Sequence, residues 1–287
     1  LEGETLTIEG SGEMWDFSAE TAPWQEYASE ITRVKVSGSV TKIGNGAFMN
    51  MSTLNSAKLP ESLTIIGEDA FRGTALSEIV IPDSVIEIAS RAFMNTPLQQ
   101  VELGTGLEII GTRAFALCPQ LETVEFASNP MLLEHWSERI FTADDQKNIP
   151  QNLTILAQYG SYAWAYAAHY GIDYTSNGTL PIVSGGACGQ RMTWNLYEGG
   201  VFVLEGSGNM TEFADGLHWD ATAEEIRRAS PWANVAEEIR LLYIGDEIGS
   251  IANRAFYGCE SLQYLYYDGA ANNIGSYAGH GFFGYNA

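Results

Sequence analysis

Leu76-Ser-Glu-Ile79-Val-Ile81-Pro-Asp-Ser-Val85-Ile-Glu-Ile88-Ala-Ser-Arg-Ala92-Phe93 is one copy of a unit that recurs along the first half of the chain. Copies open at Ile31, Leu54, Leu76, Leu98 and Leu121, in steps of 23, 22, 22 and 23 residues. In the four complete copies the opening aliphatic residue and the closing phenylalanine are always 17 positions apart: Ile31 to Phe48, Leu54 to Phe71, Leu76 to Phe93 and Leu98 to Phe115. All the length variation falls in the 5 or 6 positions from the phenylalanine to the next copy. Stacked coils impose this pattern, because each must match its neighbours in cross-section while a surface turn absorbs an extra residue.

The unit can be written L-x-x-[IVA]-x-[LIV]-x-x-x-[LV]-x-x-I-[GA]-x-x-A-F. Its first half alternates as a strand does, turning Val34 and Val36, Ile79 and Ile81, and Val101 and Leu103 to one side. A second pair, such as Val85 and Ile88, turns inward after a bend. The I-G-x-x-A-F end predicts a tight bend and a short helical or 3-10 turn, with the phenylalanine plugging the coil. One coil cannot bury such a face alone, so the copies must stack.

The opening of the chain returns later. Leu6-Thr-Ile8-Glu-Gly-Ser-Gly12-Glu-Met14 is matched by Phe202-Val-Leu204-Glu-Gly-Ser-Gly208-Asn-Met210 at an offset of 196. Pro23-Trp24 is matched by Pro231-Trp232 at an offset of 208, which then persists through Ile239, Ile251, Ala255-Phe256 and Leu262. Two copies of one module follow, the second with 12 extra residues somewhere in 211–230. It is preceded by Cys188-Gly-Gln-Arg-Met-Thr-Trp194-Asn-Leu, for which the first has no counterpart, since residue 1 aligns with Tyr197. The first module is therefore expected to have lost an opening strand, at the point where a secretion signal would stand.

Four segments are expected. Residues 1–30 form a β-strand N-terminal cap and 31–174 a repeat array, irregular over 127–150. A helix from Ser161, its N-cap, to His169 closes the array, with Gly171 at its end. Residues 175–187 are a linker, and 188–287 are a second, shorter module with one to two repeats. The fold class is α/β: a right-handed, β-rich solenoid with short helical or 3-10 turns, in two modules each preceded by a small β element.

The A-F-x-x-C/x-x-x-L spacing, with I-P-x-S-V and I-G/A-x-x-A-F, resembles the BspA-like, or Treponema pallidum-type, leucine-rich repeats. The C-G-x-x-x-T-W, G-S-G-x-M and P-W elements are similar to segments preceding such arrays in secreted proteins of gut-dwelling bacteria. The resemblance implies an extracellular or cell-surface location, with the signal peptide removed. It also implies a role in adhesion to host or bacterial proteins or glycans. Ala89 and Ala252 replace the usual glycine without disturbing the pattern.

Composition bounds the remaining choices. The 287 residues carry 36 acidic and 14 basic side chains, a net charge of −22 that repels nucleic acid and anionic lipid. No apolar run is long enough to span a bilayer. Cys118, Cys188 and Cys259 form neither a disulfide framework nor a metal cluster, and the first two-repeat pair, Cys118 and Cys259, takes equivalent turn positions as buried thiols.

No catalytic residue, metal ligand or cofactor is expected. His135, His169, His218 and His280 lack ligand spacing. Gly10-Ser-Gly12 and Gly206-Ser-Gly208 are turns without the lysine and long helix of a phosphate loop. Asp144-Asp145 and Glu224-Glu225 lack the alternation of a calcium loop.

The free positions of the repeat are better candidates. In the first array the outward rows are Arg33, Ser56, Glu78, Gln100, Thr123 and Lys35, Lys58, Val80, Glu102, Glu125, basic at the start and acidic at the end. In the second module the same positions hold Leu241, Tyr243, Tyr264 and Tyr266, either a ligand-binding face or a face packed on residues 268–287 or on the first array. His218 and Trp219 in the inserted loop either reach a ligand or anchor the loop. The leading function is a non-enzymatic binding or adhesion protein with a protein or glycan partner. The alternatives are a structural spacer within a larger envelope protein and a polysaccharide-acting enzyme.

Overall fold

A computed structural model describes residues 2–18, 21–132, 139–213, 221–267 and 273–274. By its contacts the chain forms two units, Leu1–Gln158 with Tyr170–Asn177 and Tyr159–His169 with Gly178–Ala287.

In unit 1 the strands are β1 (Thr5–Glu13), β2 (Arg33–Ile43), β3 (Ser56–Lys58), β4 (Ile65–Ile66), β5 (Glu78–Val80) and β6 (Glu87–Ile88). They continue as β7 (Gln100–Leu103), β8 (Ile109–Ile110), β9 (Thr123–Phe126), β10 (Met131–Leu132), β11 (Thr154–Tyr159) and β12 (Asp173–Thr179). One sheet runs β1-β2-β4-β6-β8-β10, with β3 also on β2, and a second runs β12-β11-β9-β7-β5. Coil pairs with coil in parallel, as Glu78↔Gln100 and Ile79↔Val101 or Glu87↔Ile109 and Ile88↔Ile110. The predicted inward residues are buried: Val34, Val36, Ile79, Ile81, Val85, Ile88, Val101 and Leu103 are each at most 4% exposed.

The closing phenylalanines form one column. Phe48, Phe71, Phe93 and Phe115 stack with centroids 5.1, 5.3 and 5.3 Å apart. The column extends beyond the complete repeats at both ends. Trp24 stacks on Phe48 at 5.6 Å and donates its indole N–H to the Ala47 carbonyl at 2.9 Å. The described residues before Ile31 thus form an initial coil, with β1 parallel to β2 and Trp24 as its ring. At the other end Phe141 stacks on Phe115 at 5.6 Å, 20 residues after Leu121 rather than 17. In the described part of the irregular stretch Ile140-Phe141 therefore takes the place of Ala-Phe, three positions later than the regular spacing.

The turn that places each ring is built differently from the helical turn expected. The residues two before and two after the phenylalanine are left-handed: Asp69 and Gly73 around Phe71 (φ 57° and 69°), Arg91 and Asn95 around Phe93 (59° and 59°), Arg113 and Leu117 around Phe115 (60° and 58°). Alternate amides then point to the next coil. Asp69, Phe71 and Gly73 donate to the carbonyls of Ser90, Ala92 and Met94 at 3.2, 2.8 and 2.9 Å, while Ala70 and Arg72 close local turns on Gly67 and Asp69. Left-handed geometry at a non-glycine residue costs roughly 1–2 kcal/mol. Here it is held by a hydrogen-bond ladder that a helical turn could not offer.

In unit 2, β13 (Ile182–Gly189), β14 (Met192–Tyr197), β15 (Val201–Gly206), β17 (Leu241–Ile244) and β19 (Tyr264–Tyr267) form one sheet in that order. Strands β16 (Gly208–Asn209), β18 (Ile248–Ile251) and β20 (Asn273–Ile274) form a smaller one, again in that order. Helix α1 (Tyr162–Tyr170) belongs largely to this unit, and α2 (Ala223–Ala229) lies in the insertion. Ser161 Oγ accepts the Trp164 N–H at 3.1 Å, the expected N-cap, and Gly171 ends the helix at φ 64°. The stretch expected as a linker, 175–187, is in strand for most of its length.

The duplicated module is visible residue by residue. Trp232 stacks on Phe256 at 4.9 Å and donates to the Ala255 carbonyl at 3.1 Å, as Trp24 does on Phe48 and Ala47. Phe213 meets Trp232 edge-on at 5.4 Å, as Phe17 meets Trp24 at 5.3 Å. The Asp16 carboxylate accepts the Asn45 N–H at 2.8 Å, and Glu212 accepts that of Asn253 at 3.2 Å. The 12 extra residues therefore fall between Phe213 and Pro231.

Two expectations follow. Phe93→Ala lowers the stability of unit 1 by about 3–5 kcal/mol in chemical denaturation, and Phe93→Leu by less, the difference isolating the ring contacts. All three cysteines are buried. Burial pushes the Cys118 thiol up, and takes Cys188 from the ordinary 9.0 to about 11, leaving about a hundredfold less thiolate at pH 8. A disulfide reagent should titrate three thiols in denaturant and react far more slowly with the native chain.

Candidate functional site: two strand faces of different character

The outward rows of unit 1 follow from strand alternation, and the sheet register aligns them. Arg33 sits beside Ser56 and Lys35 beside Lys58 on β2 and β3. Glu78, Gln100 and Thr123 align across β5, β7 and β9, as do Val80, Glu102 and Glu125. All ten side chains except the half-buried Thr123 are exposed, and Val80, an apolar residue, is 63% exposed. Lysines at one end and glutamates at the other make a surface of graded charge around an apolar centre.

The corresponding face of unit 2 is closed. Register aligns Val201, Leu241 and Tyr264 in one row and Val203, Tyr243 and Tyr266 in the next. Helix α1 lies on them. Trp164 meets Tyr243 at 4.8 Å, Tyr166 meets Tyr266 edge-on at 6.3 Å, and His169 stacks on Tyr266 at 4.7 Å. Leu241, Tyr243 and Tyr266 are 1%, 7% and 4% exposed, while Tyr264 is half-buried. Helix α1 thus covers the tyrosine row, for which the sequence left a ligand-binding face and a packed face open. His218 and Trp219 lie outside the described residues.

Two tyrosine hydroxyls beside the helix are hydrogen-bonded. The Tyr159 hydroxyl donates to the Glu205 carboxylate, and Tyr162 donates to the Gly199 carbonyl at 3.2 Å. Burial raises the Tyr162 hydroxyl to about 12, and burial with the Glu205 charge raises Tyr159 well above its ordinary value. Both stay protonated donors at neutral pH. A chemical reason for the closure is visible in β15. Val201-Phe-Val-Leu204 is apolar at every position, whereas Thr5-Leu-Thr-Ile8 alternates. A strand apolar on both faces is buried on both, and this signal identifies the tyrosine row as covered.

One exposed residue was not nominated from the sequence. Trp15 is 81% exposed, immediately after β1. Its backbone is fixed against the next coil: a Cβ on Gly44 would fall 1.8 Å from the Trp15 carbonyl oxygen. The indole is held out in solvent on a constrained backbone, and no motif marked it because its counterpart in the second module is Thr211.

Among the described residues no group of His, Cys, Asp and Glu side chains is arranged to hold a metal ion. Among them also, no helix is long and apolar enough to cross a membrane.

Comparison with known proteins agrees with the coil architecture. The model of the BspA type leucine rich repeat region matches residues 26–159 and 233–282, in six copies. No curated protein sequence matches the chain. Among solved structures, a leucine-rich repeat protein from Eubacterium ventriosum is similar at 15% identity and a TM-score of 0.39, covering 92% of this chain and 68% of that one. One from Bacteroides ovatus is similar at 18% identity and a TM-score of 0.26, covering 84% and 61%. A leucine rich cell surface protein from Faecalibacterium prausnitzii is similar at 16% identity and a TM-score of 0.27, covering 91% and 69%. With the repeat model matching more than half of its length, and with the stacked coils and phenylalanine column that the repeat encodes, the chain belongs to the BspA-type leucine-rich repeat family.

Proposed function

We propose that the protein is a non-enzymatic binding protein of the bacterial surface or exterior, and that the outward strand rows of unit 1 meet a protein or glycan partner. The observation that carries this reading is the contrast between the two strand faces. The rows of unit 2 lie under α1, whereas those of unit 1 stand in solvent, with Lys35 and Lys58 in register on one pair of strands and Val80, Glu102 and Glu125 in register on three others. Ladder hydrogen bonds hold these positions rigidly, so a partner meets side chains whose backbone is already ordered. Exposed Val80 supplies apolar area that a partner would bury, and the flanking charges supply orientation.

A glycan array and a panel of purified extracellular-matrix proteins, screened with the full chain, identify the ligand. Its affinity for Lys35→Glu/Lys58→Glu/Val80→Asp is expected to fall at least tenfold with an unchanged unfolding midpoint. Unchanged affinity overturns the placement on these rows. Hydrolysis of a polysaccharide in the same screen overturns the non-enzymatic assignment.

Tyr243→Ala and Tyr266→Ala test the other face. As packing residues under α1, each should lower stability by about 3 kcal/mol in thermal or chemical unfolding. A solvated site would shift it by no more than about 0.5 kcal/mol.

A further inference from the structure

The open strand rows of unit 1 carry a charge pattern with a symmetry of its own. Along one row the side chains are Lys35, Lys58, Val80, Glu102 and Glu125, two positive, one apolar and two negative. Sheet register sets Lys35 beside Lys58 and aligns Val80, Glu102 and Glu125, while β3 packs next to β5. Neighbouring strands stand about 4.8 Å apart, so Lys35 and Glu125 lie equally far from Val80 on opposite sides. All five side chains are exposed. Reversing the order of the row exchanges each charge for its opposite and leaves the valine in place.

Such a face is complementary to itself. Two copies can meet face to face about a two-fold axis that runs either along the coil stack or along the strands. An axis along the stack sets each coil against its own copy, lysine on lysine and glutamate on glutamate. An axis along the strands, through β5, reverses the stack instead. Lys35 then faces Glu125 of the second copy, Lys58 faces Glu102 and Val80 meets Val80, and symmetry doubles both charge pairs. In the other row Arg33 faces Thr123 and Ser56 faces Gln100, and only Glu78 meets its like. Charge therefore selects one orientation and opposes the other.

The chain's charge makes this row unusual. At a net charge of −22 most of the surface repels a second copy, yet two of the chain's four lysines, Lys35 and Lys58, stand in this row. A glycan, neutral or of one sign, would engage only half of it. Building on the reading of these rows as a contact face, we propose that their partner is a second copy of the same chain. It seats face to face with its coils in reverse order, and Val80 meets Val80 on the two-fold axis.

Sedimentation equilibrium of the full chain, with a charge swap, tests this. The wild-type chain is expected to dimerise reversibly. Lys35→Glu/Lys58→Glu and Glu102→Lys/Glu125→Lys should each weaken self-association roughly tenfold, and an equimolar mixture of the two should restore a mixed dimer. Glu78→Gln should tighten the wild-type dimer about threefold by removing the like-charged contact. A chain that stays monomeric at millimolar concentration overturns the proposal. So does a dimer that neither double variant weakens, which places the contact elsewhere, or a mixture that stays monomeric. A monomeric wild-type chain whose screened ligand is lost in Lys35→Glu/Lys58→Glu/Val80→Asp overturns the second copy as partner and leaves the contact face standing.

Discussion

The column of aromatic rings on the repeat axis is the constraint from which the rest of unit 1 follows. Each ring can meet the next at 5.1 to 5.6 Å only if successive coils keep the same cross-section. That requirement explains the 17-residue spacing shared by the four complete copies. It also explains why the turn accepts left-handed backbone at Arg91, Arg113 and Leu117. A helical turn would direct its amides along its own axis. The alternating turn directs every second amide to the neighbouring coil, so ring stacking and backbone pairing advance with the same step. The strain at those residues is local, and the ladder bonds over-determine it.

Both ends of that column use substitutes that keep its geometry. Trp24 ends it with a ring whose N–H reaches the Ala47 carbonyl, joining a hydrogen bond to the stack. Phe141 ends it after three extra residues, with the Phe115 amide donating to the Ile140 carbonyl as in the regular coils. The second module repeats the tryptophan device at Trp232 with a single phenylalanine beyond it in the described residues. So short a column buries little by itself. Unit 2 makes up the deficit with β14 beside β15 in its sheet and α1 on the outer face, each contributing aromatic cover.

How much of this was legible in the sequence depends on periodicity. The repeat, its inward residues, the duplicated module and the Ser161 cap were all carried by residue type at fixed spacing, and they stand in the structure where the spacing put them. The fifth coil was obscured because three added residues break the 17-residue register, and only Ile140-Phe141 preserves its signal. The covering of Tyr243 and Tyr266 was hidden for a different reason. Aromatic residues at outward strand positions look alike whether a ligand or a helix covers them. The distinguishing fact, the all-apolar run Val201–Leu204, lies about forty residues away on the neighbouring strand. Trp15 was invisible because exposure of a single non-repeating side chain has no periodic signature.

A repeat scaffold separates two kinds of position, and the separation governs where function can reside. Inward residues are bound to the ring column and the two sheets, and changing one disturbs every coil that touches it. Outward residues on the strands answer only to what lies on them. In unit 2 that is a helix, so Leu241, Tyr243 and Tyr266 have become core residues in all but their place in the repeat. In unit 1 the same positions keep water and mixed charge. Duplication thus provided two versions of one surface, one covered by the apolar side chains of a helix and one whose strand rows stand in solvent.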